Sequence, residues 1–217
     1  MDEHTREACD AYIRRLFGSE DEVLRDLRRE ITESDLPEIC ISPEEGRLLQ
    51  VMLRCVGARR VLELGTLGGY SAIWMARALP AGGELLTVER EEMRAELARR
   101  YVQRAGLMGI VEVVVGEAGA ILEDLSEAGP FDAVFIDADK ESYPAYLDWC
   151  LDHVRDGGLV IADNAFKAGT VVEESEDPAV RGIQEYNRRI AEDSRLTSII
   201  IPMRDGVAVT LIERGDR

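Results

Sequence analysis

Asp137, Asp163 and Asn164 are the residues whose types and spacing point most directly to chemistry in this chain of 217 residues. They close two short apolar runs, FDAVFID (131–137) and GLVIADN (158–164). All three offer oxygen donors. Hard oxygens with room for water or substrate suit Mg²⁺, Ca²⁺ or Mn²⁺. The plainer alternative is that Asp163 and Asn164 are turn formers after a strand. Glu63 and Glu89 stand at the ends of two further runs, VLEL and ELLTVER. If these runs are parallel strands of one sheet, all five polar side chains share one rim.

A glycine-rich turn lies beside them. In RRVLELGTLGGYS (59–71) an apolar run leads into Gly65, Gly68 and Gly69, then into helical spacing at Ala72, Met75, Ala76 and Leu79. Such a turn offers backbone N–H groups at a helix N-terminus and lets the main chain approach a ligand. The dinucleotide pattern G-x-G-x-x-G fails, because Leu67 and Tyr70 stand where its second and third glycines belong. There is no Walker A lysine. Glu89 lies 24 residues beyond Gly65, near the distance of about 20 at which an acid accepts hydrogen bonds from ribose hydroxyls. A solvated carboxylate opening the next helix is the alternative.

The elements that must position these residues alternate. Strands are expected at 61–64, 84–90, 110–115, 131–137, 158–164, 196–201 and 206–212, with helices at 91–105, 117–127, 142–154 and 178–192 between them. This order implies an α/β fold with a mainly parallel, doubly wound sheet and ligands at the carboxyl ends of its strands. PMRDG suits a hairpin turn that makes one terminal strand antiparallel. Ahead of the glycine turn stand amphipathic helices at 3–17 and 20–33, the second with Ser19 and Glu22 as a capping box. They either fold over the site as a lid or meet a partner subunit. A short extended link, LPEICIS (36–42), leads to a helix started by Ser42, Pro43 and Glu45. The irregular stretch 165–177 is a candidate loop beside the site.

Length and composition set the frame. One domain spanning 1–217 is expected, with 1–42 as an N-terminal helical lid or dimerisation segment and 43–217 as the core. A net charge of −17 disfavours nucleic acid and anionic membrane as partners. Cys9, Cys40, Cys55 and Cys150 show no C-x-x-C spacing and are expected reduced and mostly buried. The acidic N-terminus lacks an apolar leader, and no apolar run reaches the ~18 residues of a membrane span. A cytoplasmic protein is expected.

The strings VLELGTLGGYSAIWMA, FDAVFIDADKESYPAYLDWC and GGLVIADN, with DPAVRGIQEYNRRI and IIIPMRDGVAVTLIER downstream, resemble the cation-dependent O-methyltransferases of the class I S-adenosylmethionine group. That family includes the catechol and caffeoyl-coenzyme A enzymes and small bacterial members. The resemblance covers about residues 36 to 213. It implies a Rossmann-like, seven-stranded mixed sheet with helices on both faces. It implies S-adenosylmethionine contacts at Ile41, Glu63, Gly65, Thr66, Ser71, Glu89, Ala118, Asp137 and Asp139. It implies ligation of a divalent cation, Mg²⁺ first with Ca²⁺ or Mn²⁺ as alternatives, by Asp137, Asp163 and Asn164. Lys140 stands where the catechol enzyme has its proposed general base. Phe166 and Lys167 depart from the aromatic and arginine that follow this motif in many relatives, and Glu45 is acidic near a position that carries a lysine there.

The implied activity is methyl transfer to a vicinal-dihydroxy aromatic small molecule, a phenylpropanoid or acyl-coenzyme A ester among the candidates, with Asp137 and Lys140 catalytic. A homodimer through the N-terminal helices is expected. Lys140 in a plain salt bridge to Asp139 or Glu141 is its non-catalytic alternative. Two other classes remain as alternatives for the whole chain: an NAD(P)-dependent oxidoreductase on the same sheet, or a non-catalytic cofactor-binding protein.

Overall fold

The structure, a computed structural model, describes residues 2–34, 36 and 40–215. A seven-stranded sheet runs through it in the order β3-β2-β1-β4-β5-β7-β6. Its strands are β1 (Arg60–Leu64), β2 (Glu84–Glu89), β3 (Val111–Val115), β4 (Phe131–Ile136), β5 (Val154–Ala162), β6 (Leu196–Ile201) and β7 (Val207–Ile212). The pairings from β3 across to β5 are parallel. β7 lies antiparallel to both β5 and β6, so the terminal hairpin inserts its second strand into the sheet. The strand order reverses between β1 and β4. That reversal opens a crevice at the carboxyl ends of these two strands, where open α/β sheets take ligands.

Alternation along the strands builds two cores. Val61, Ala133, Phe135, Leu159 and Ile161 face one side. There they meet helices α2 (Glu22–Glu33), α3 (Pro43–Cys55), α4 (Tyr70–Ala76) and α5 (Glu92–Arg104). Leu62, Leu64, Val134, Ile136 and Val160 face the other. They meet α6 (Ala118–Asp124), α7 (Tyr143–His153) and α8 (Pro178–Glu192). A strand buried on both faces has no polar side to show, which is why these runs read as unbroken apolar stretches.

The first helix, α1 (Glu3–Phe17), stands apart from both cores and leaves Tyr12, Ile13, Leu16 and Phe17 exposed. α2 is different. Its Leu24, Leu27 and Ile31 are fully buried against the first core.

Several expectations are corrected. The cap of α2 is Asp21, whose side chain accepts from Leu24 N–H, and not Ser19 with Glu22. A carboxylate one residue before the helix reaches the third N–H directly, so the helix starts there. β5 begins at Val154, directly after α7, and not at 158. The Arg155 guanidinium donates to the Asp132 carboxylate at 2.5 Å, and the register shifts between Phe131 and Ala133, which brings this early part of the strand into the sheet. β4 stops at Ile136 and β5 at Ala162, so Asp137, Asp163 and Asn164 stand just past the strands. α6 is shorter than the expected 117–127. Of the cysteines only Cys150 is buried; Cys40 is half-buried, Cys9 and Cys55 are exposed, and all four are free thiols. The 36–42 link falls partly outside the described residues. The capping box Ser42–Glu45 at α3 is present in full. Among the described residues no helix is long and apolar enough to cross a membrane.

Candidate active site

The glycine turn after β1 is pressed against the end of β4. Gly65 has φ 102°, and a Cβ there would lie 2.4 Å from the Asp137 carbonyl oxygen. No larger residue fits that approach. Gly65 and Thr66 N–H groups both donate to Val88 O, at 3.0 and 3.1 Å, which fixes the turn to β2. Gly69, φ 87°, starts α4 within 3.1 Å of the Ala98 side chain for an added Cβ.

Glu89, at the end of β2, is 5% exposed and holds the same turn from the other side. Its carboxylate accepts Leu67 N–H at 2.7 Å and Glu91 N–H at 3.0 Å, with Arg94 3.9 Å away. The alternative of a merely solvated carboxylate is thereby set aside. A cavity of about 280 Å³ opens between the turn, Glu89 and the end of β4. Ile41, Gly65, Thr66, Ser71, Glu89, Ala118, Asp137 and Asp139 all line it.

Glu63 does not line the cavity. It is fully buried behind it, accepting from the Ser71 hydroxyl and, at 2.5 Å, from the Thr87 hydroxyl. Burial pushes its carboxyl up to about 8, against the two hydroxyl donors, which pull it down. Its contact with the cavity therefore runs through Ser71. Leu67, Tyr70, Arg94 and Glu117 also line the cavity. The sequence reading missed them. Glu117 had a signal, since GEA follows β3 as the glycine turn follows β1. Tyr70 had none, being read only as the first residue of a helix.

The second group stands beside this cavity. Lys140, in a short 3₁₀ turn Lys140–Ser142, donates to Asp137 Oδ1 at 2.8 Å and to the Tyr143 hydroxyl at 2.7 Å. The ion pair is with Asp137, not with Asp139 or Glu141. Asp139 instead accepts the Tyr146 hydroxyl at 2.5 Å. The Tyr143 hydroxyl lies 3.1 Å from both Ile136 O and Asp163 O and donates to one of them. It thus ties the ends of β4 and β5 together beneath the two aspartates. Burial, then the charges of Asp137 and Asp163, hold the Tyr143 phenol well above its ordinary range, so it stays a donor.

Asp163 is 4% exposed; its Oδ1 accepts the N–H of Asn164 at 2.7 Å. Burial raises the carboxyl, and the Asp137 charge raises it further. Asp137 is raised too, by burial, against the opposing charges of Lys140 and Arg204. Lys140 offsets part of this repulsion at Asp137, and a divalent cation bound between the two carboxylates would offset more of it. Asn164 sits at φ 58°, a left-handed position that asparagine tolerates better than most residues, and its side-chain amide makes no hydrogen bond among the described residues. Among the described residues no group of three or more His, Cys, Asp or Glu is arranged to hold a metal. The candidate set has two such residues, and Asn164, next in the chain to Asp163, offers an amide oxygen as a third donor type. Its donor chemistry fits a hard divalent cation.

Phe166 and Lys167, where the sequence departs from the pattern of the family it resembles, lie in a turn with three non-glycine residues at positive φ: Asn164, Lys167 and Ala168. Such strain concentrates at functional sites.

Comparison with known proteins adds a separate line. A family model described as O-methyltransferase matches residues 15–214. A catechol O-methyltransferase of Niastella koreensis is 40% identical over 221 residues, covering 98% of this chain and 100% of that protein. The crystal structure of the O-methyltransferase TomG from Streptomyces achromogenes, involved in tomaymycin synthesis and solved in complex with SAM, matches with a TM-score of 0.92 at 38% identity, covering 98% of this chain and 100% of that one. An O-methyltransferase from Bacillus cereus in complex with SAH matches with a TM-score of 0.90 at 36% identity, covering 95% and 97%.

Proposed function

The chain belongs to the O-methyltransferase family, and from that premise we propose that it transfers the methyl group of S-adenosylmethionine to one hydroxyl of a vicinal-dihydroxy aromatic small molecule, with a divalent cation held by Asp137, Asp163 and Asn164. The observation that carries this reading is the adjacency of two features at the β1/β4 crevice. One is a cavity with a buried carboxylate, Glu89, on its wall. The other is a pair of mutually repelling aspartates at the ends of β4 and β5. The relatives bound to SAM and SAH, and the catechol O-methyltransferase relative, support the same assignment. The oxidoreductase alternative lacks the dinucleotide glycine pattern, and the O-methyltransferase family match does not favour it.

In this reading Glu89 accepts hydrogen bonds from ribose hydroxyls of the donor. The Gly65–Gly69 turn supplies main-chain N–H groups, and Ser71, backed by Glu63, orients the donor's polar end. Ile41 closes the cavity from the segment before α3. Bound at the two aspartates, a divalent cation, with Mg²⁺ the first choice and Ca²⁺ or Mn²⁺ compatible, would favour the phenolate over the phenol, whose ordinary pKa is about 10. Lys140 is the group placed to receive the phenolic proton, and Asp137 and Tyr143 keep its nitrogen at the rim. Alignment of oxygen and methyl carbon then does much of the remaining work.

The finer assignments follow the same support. The exposed apolar residues Tyr12, Ile13, Leu16 and Phe17 on α1 favour a homodimer. Four free thiols favour a cytoplasmic protein. The charge of −17 speaks against nucleic acid and anionic membrane as partners.

The test is a panel of vicinal diphenols with labelled methyl donor, run with and without chelator. Turnover of a diphenol, abolished by chelator and restored by Mg²⁺, is expected. Undiminished turnover in chelator removes the cation from the account.

A further inference from the structure

The turn between β6 and β7 carries Arg204 on left-handed backbone, φ 48°, which a residue with a side chain adopts at some cost. The turn is bolted to the loop that bears Asp163 and Asn164. Ala165 N–H donates to Gly206 O and Phe166 N–H to Asp205 O, both at 2.8 Å, and Ala168 N–H donates to Asp205 Oδ1 at 2.7 Å. The Phe166 ring packs so closely that a Cβ on Gly206 would stand 2.8 Å from it. Arg204 is therefore held at a fixed offset from the candidate metal ligands. The positions that break the family pattern, Phe166 and Lys167, form part of that fastening.

The guanidinium reaches back over the site. Its Nη1 donates to Cys40 O at 3.1 Å and to Glu45 Oε2 at 3.0 Å. Nε and Nη2 make no hydrogen bond among the described residues, and the side chain is 46% exposed. Arg204 lines a groove of about 260 Å³ together with Arg14 and Arg28, and the groove shares Cys40 and Ile41 with the donor cavity. Thr32 and Ser42 add hydroxyls, and none of the described residues lining it is acidic. Arg14 and Arg28 each have a carboxylate partner outside the groove lining, Glu44 at 3.1 Å and Glu20 at 3.6 Å, and Arg204 keeps Nε and Nη2 open. A planar guanidinium with one free edge of N–H groups, Nε and Nη2, matches a carboxylate better than a point charge would.

Resting on the function proposed above, the geometry points to an anion subsite: Arg204, with Arg28 and Arg14, receives a carboxylate carried by the acceptor on the side of the ring away from its two hydroxyls. The groove then selects acidic diphenols over neutral ones. Glu45 and Cys40 O hold one nitrogen of Arg204 so that the other two face the substrate.

The experiment compares kcat/KM for a dihydroxybenzoate and for its carboxamide, alongside a pair in which a two-carbon arm separates ring and carboxylate. Binding of each to the complex with S-adenosylhomocysteine is measured by calorimetry. The wild-type chain is expected to prefer the acid by at least about tenfold in one of the two pairs, with the preference shrinking at high salt. In Arg204→Gly, which keeps the left-handed turn, the ratio of acid to amide falls to about two or less. Arg204→Lys, which keeps the charge and loses the fork, lies between. Arg28→Gln lowers the ratio as well, and it reads the same groove should removal of Arg204 disturb Glu45. A wild-type ratio near one, or a ratio unmoved in Arg204→Gly and Arg28→Gln, overturns the subsite while leaving diphenol methylation intact. Absence of any diphenol turnover instead overturns the function on which the subsite rests.

Discussion

Lys140 and Asp137 form an ion pair of 2.8 Å at the carboxyl end of β4, with Asp137 on the wall of the donor cavity and Lys140 also held by Tyr143. One residue thus borders the cavity for the methyl donor, and the other sits beside the aspartates assigned to the cation. On the function proposed above, a lysine tied this way would serve the acceptor side and contribute little to holding the donor. Lys140→Ala is expected to lower kcat by about 10²–10⁴-fold, the range of a lost general base, with affinity for S-adenosylhomocysteine changed far less. Lys140→Arg is expected not to restore turnover, because a guanidinium does not give up its proton near neutral pH. Steady-state kinetics beside calorimetric titration separate the two effects. An equal loss in both would make Lys140 a structural cation.

Glu89 is assigned to the donor's ribose. Removing its charge in Glu89→Gln takes away charge-assisted hydrogen bonds worth about 1.5–3 kcal/mol in total, or roughly 10–100-fold in the dissociation constant of S-adenosylhomocysteine. Glu89 also pins Leu67 and Glu91, so thermal melting without ligand checks that the turn survives. Unaltered affinity would send the ribose elsewhere.

α8 packs against the Lys140–Ser142 turn from outside the site. A Cβ on Gly182 would meet Lys140 O at 2.3 Å and Glu141 Cα at 2.8 Å. Backbone cannot yield as a flexible side chain can. Gly182→Ala is expected to destabilise by about 1–3 kcal/mol and to reduce turnover by shifting the Lys140–Ser142 turn. Denaturant unfolding with kinetics on the same sample measures both. Wild-type stability and rate would show that α8 packs loosely there.

Glu63 makes stability depend on pH in the direction opposite to most carboxylates. Its carboxyl is raised in the fold from 4.5 to about 8, chiefly by burial. The protonated form is therefore the one the fold favours. The stability it lends is complete below about pH 4.5, declines as pH rises, and is lost above about pH 8, a change on the order of a few kcal/mol. Glu63→Gln, which mimics the protonated acid, is expected to melt close to wild type at pH 5 and above it at pH 9, both measured without ligand. A variant that tracks wild type at both pH values would place the Glu63 proton elsewhere.

Much of the architecture was legible because buried parallel strands are mostly apolar runs, three of which end in or run into an acidic residue. Glu89, Asp137 and Asp163 could be named from that pattern, and the failed glycine spacing turned attention away from a dinucleotide. What was not legible depends on contacts between distant segments. Nothing around Arg204 in the sequence shows that its turn fastens to the Asp163–Asn164 loop, since those hydrogen bonds join backbone about 40 residues apart. Glu63 read as a rim acid because position along the strand reveals where a side chain starts, not that Ser71 and Thr87 close over it. The cap of α2 was misplaced because Ser19 and Asp21 both satisfy local cap chemistry, and only the path of the chain chooses between them.

The central claim is that Asp137, Asp163 and Asn164 together hold one divalent cation next to the methyl donor. The most direct measurement is titration of Mn²⁺ into the metal-stripped protein saturated with S-adenosylhomocysteine, followed by electron paramagnetic resonance, for the wild type and for Asp163→Ala. The account predicts one site per chain in the wild type, weakened by at least about tenfold in the variant, while affinity for S-adenosylhomocysteine is retained. Equal Mn²⁺ binding by both proteins, or no stoichiometric site in either, would contradict it.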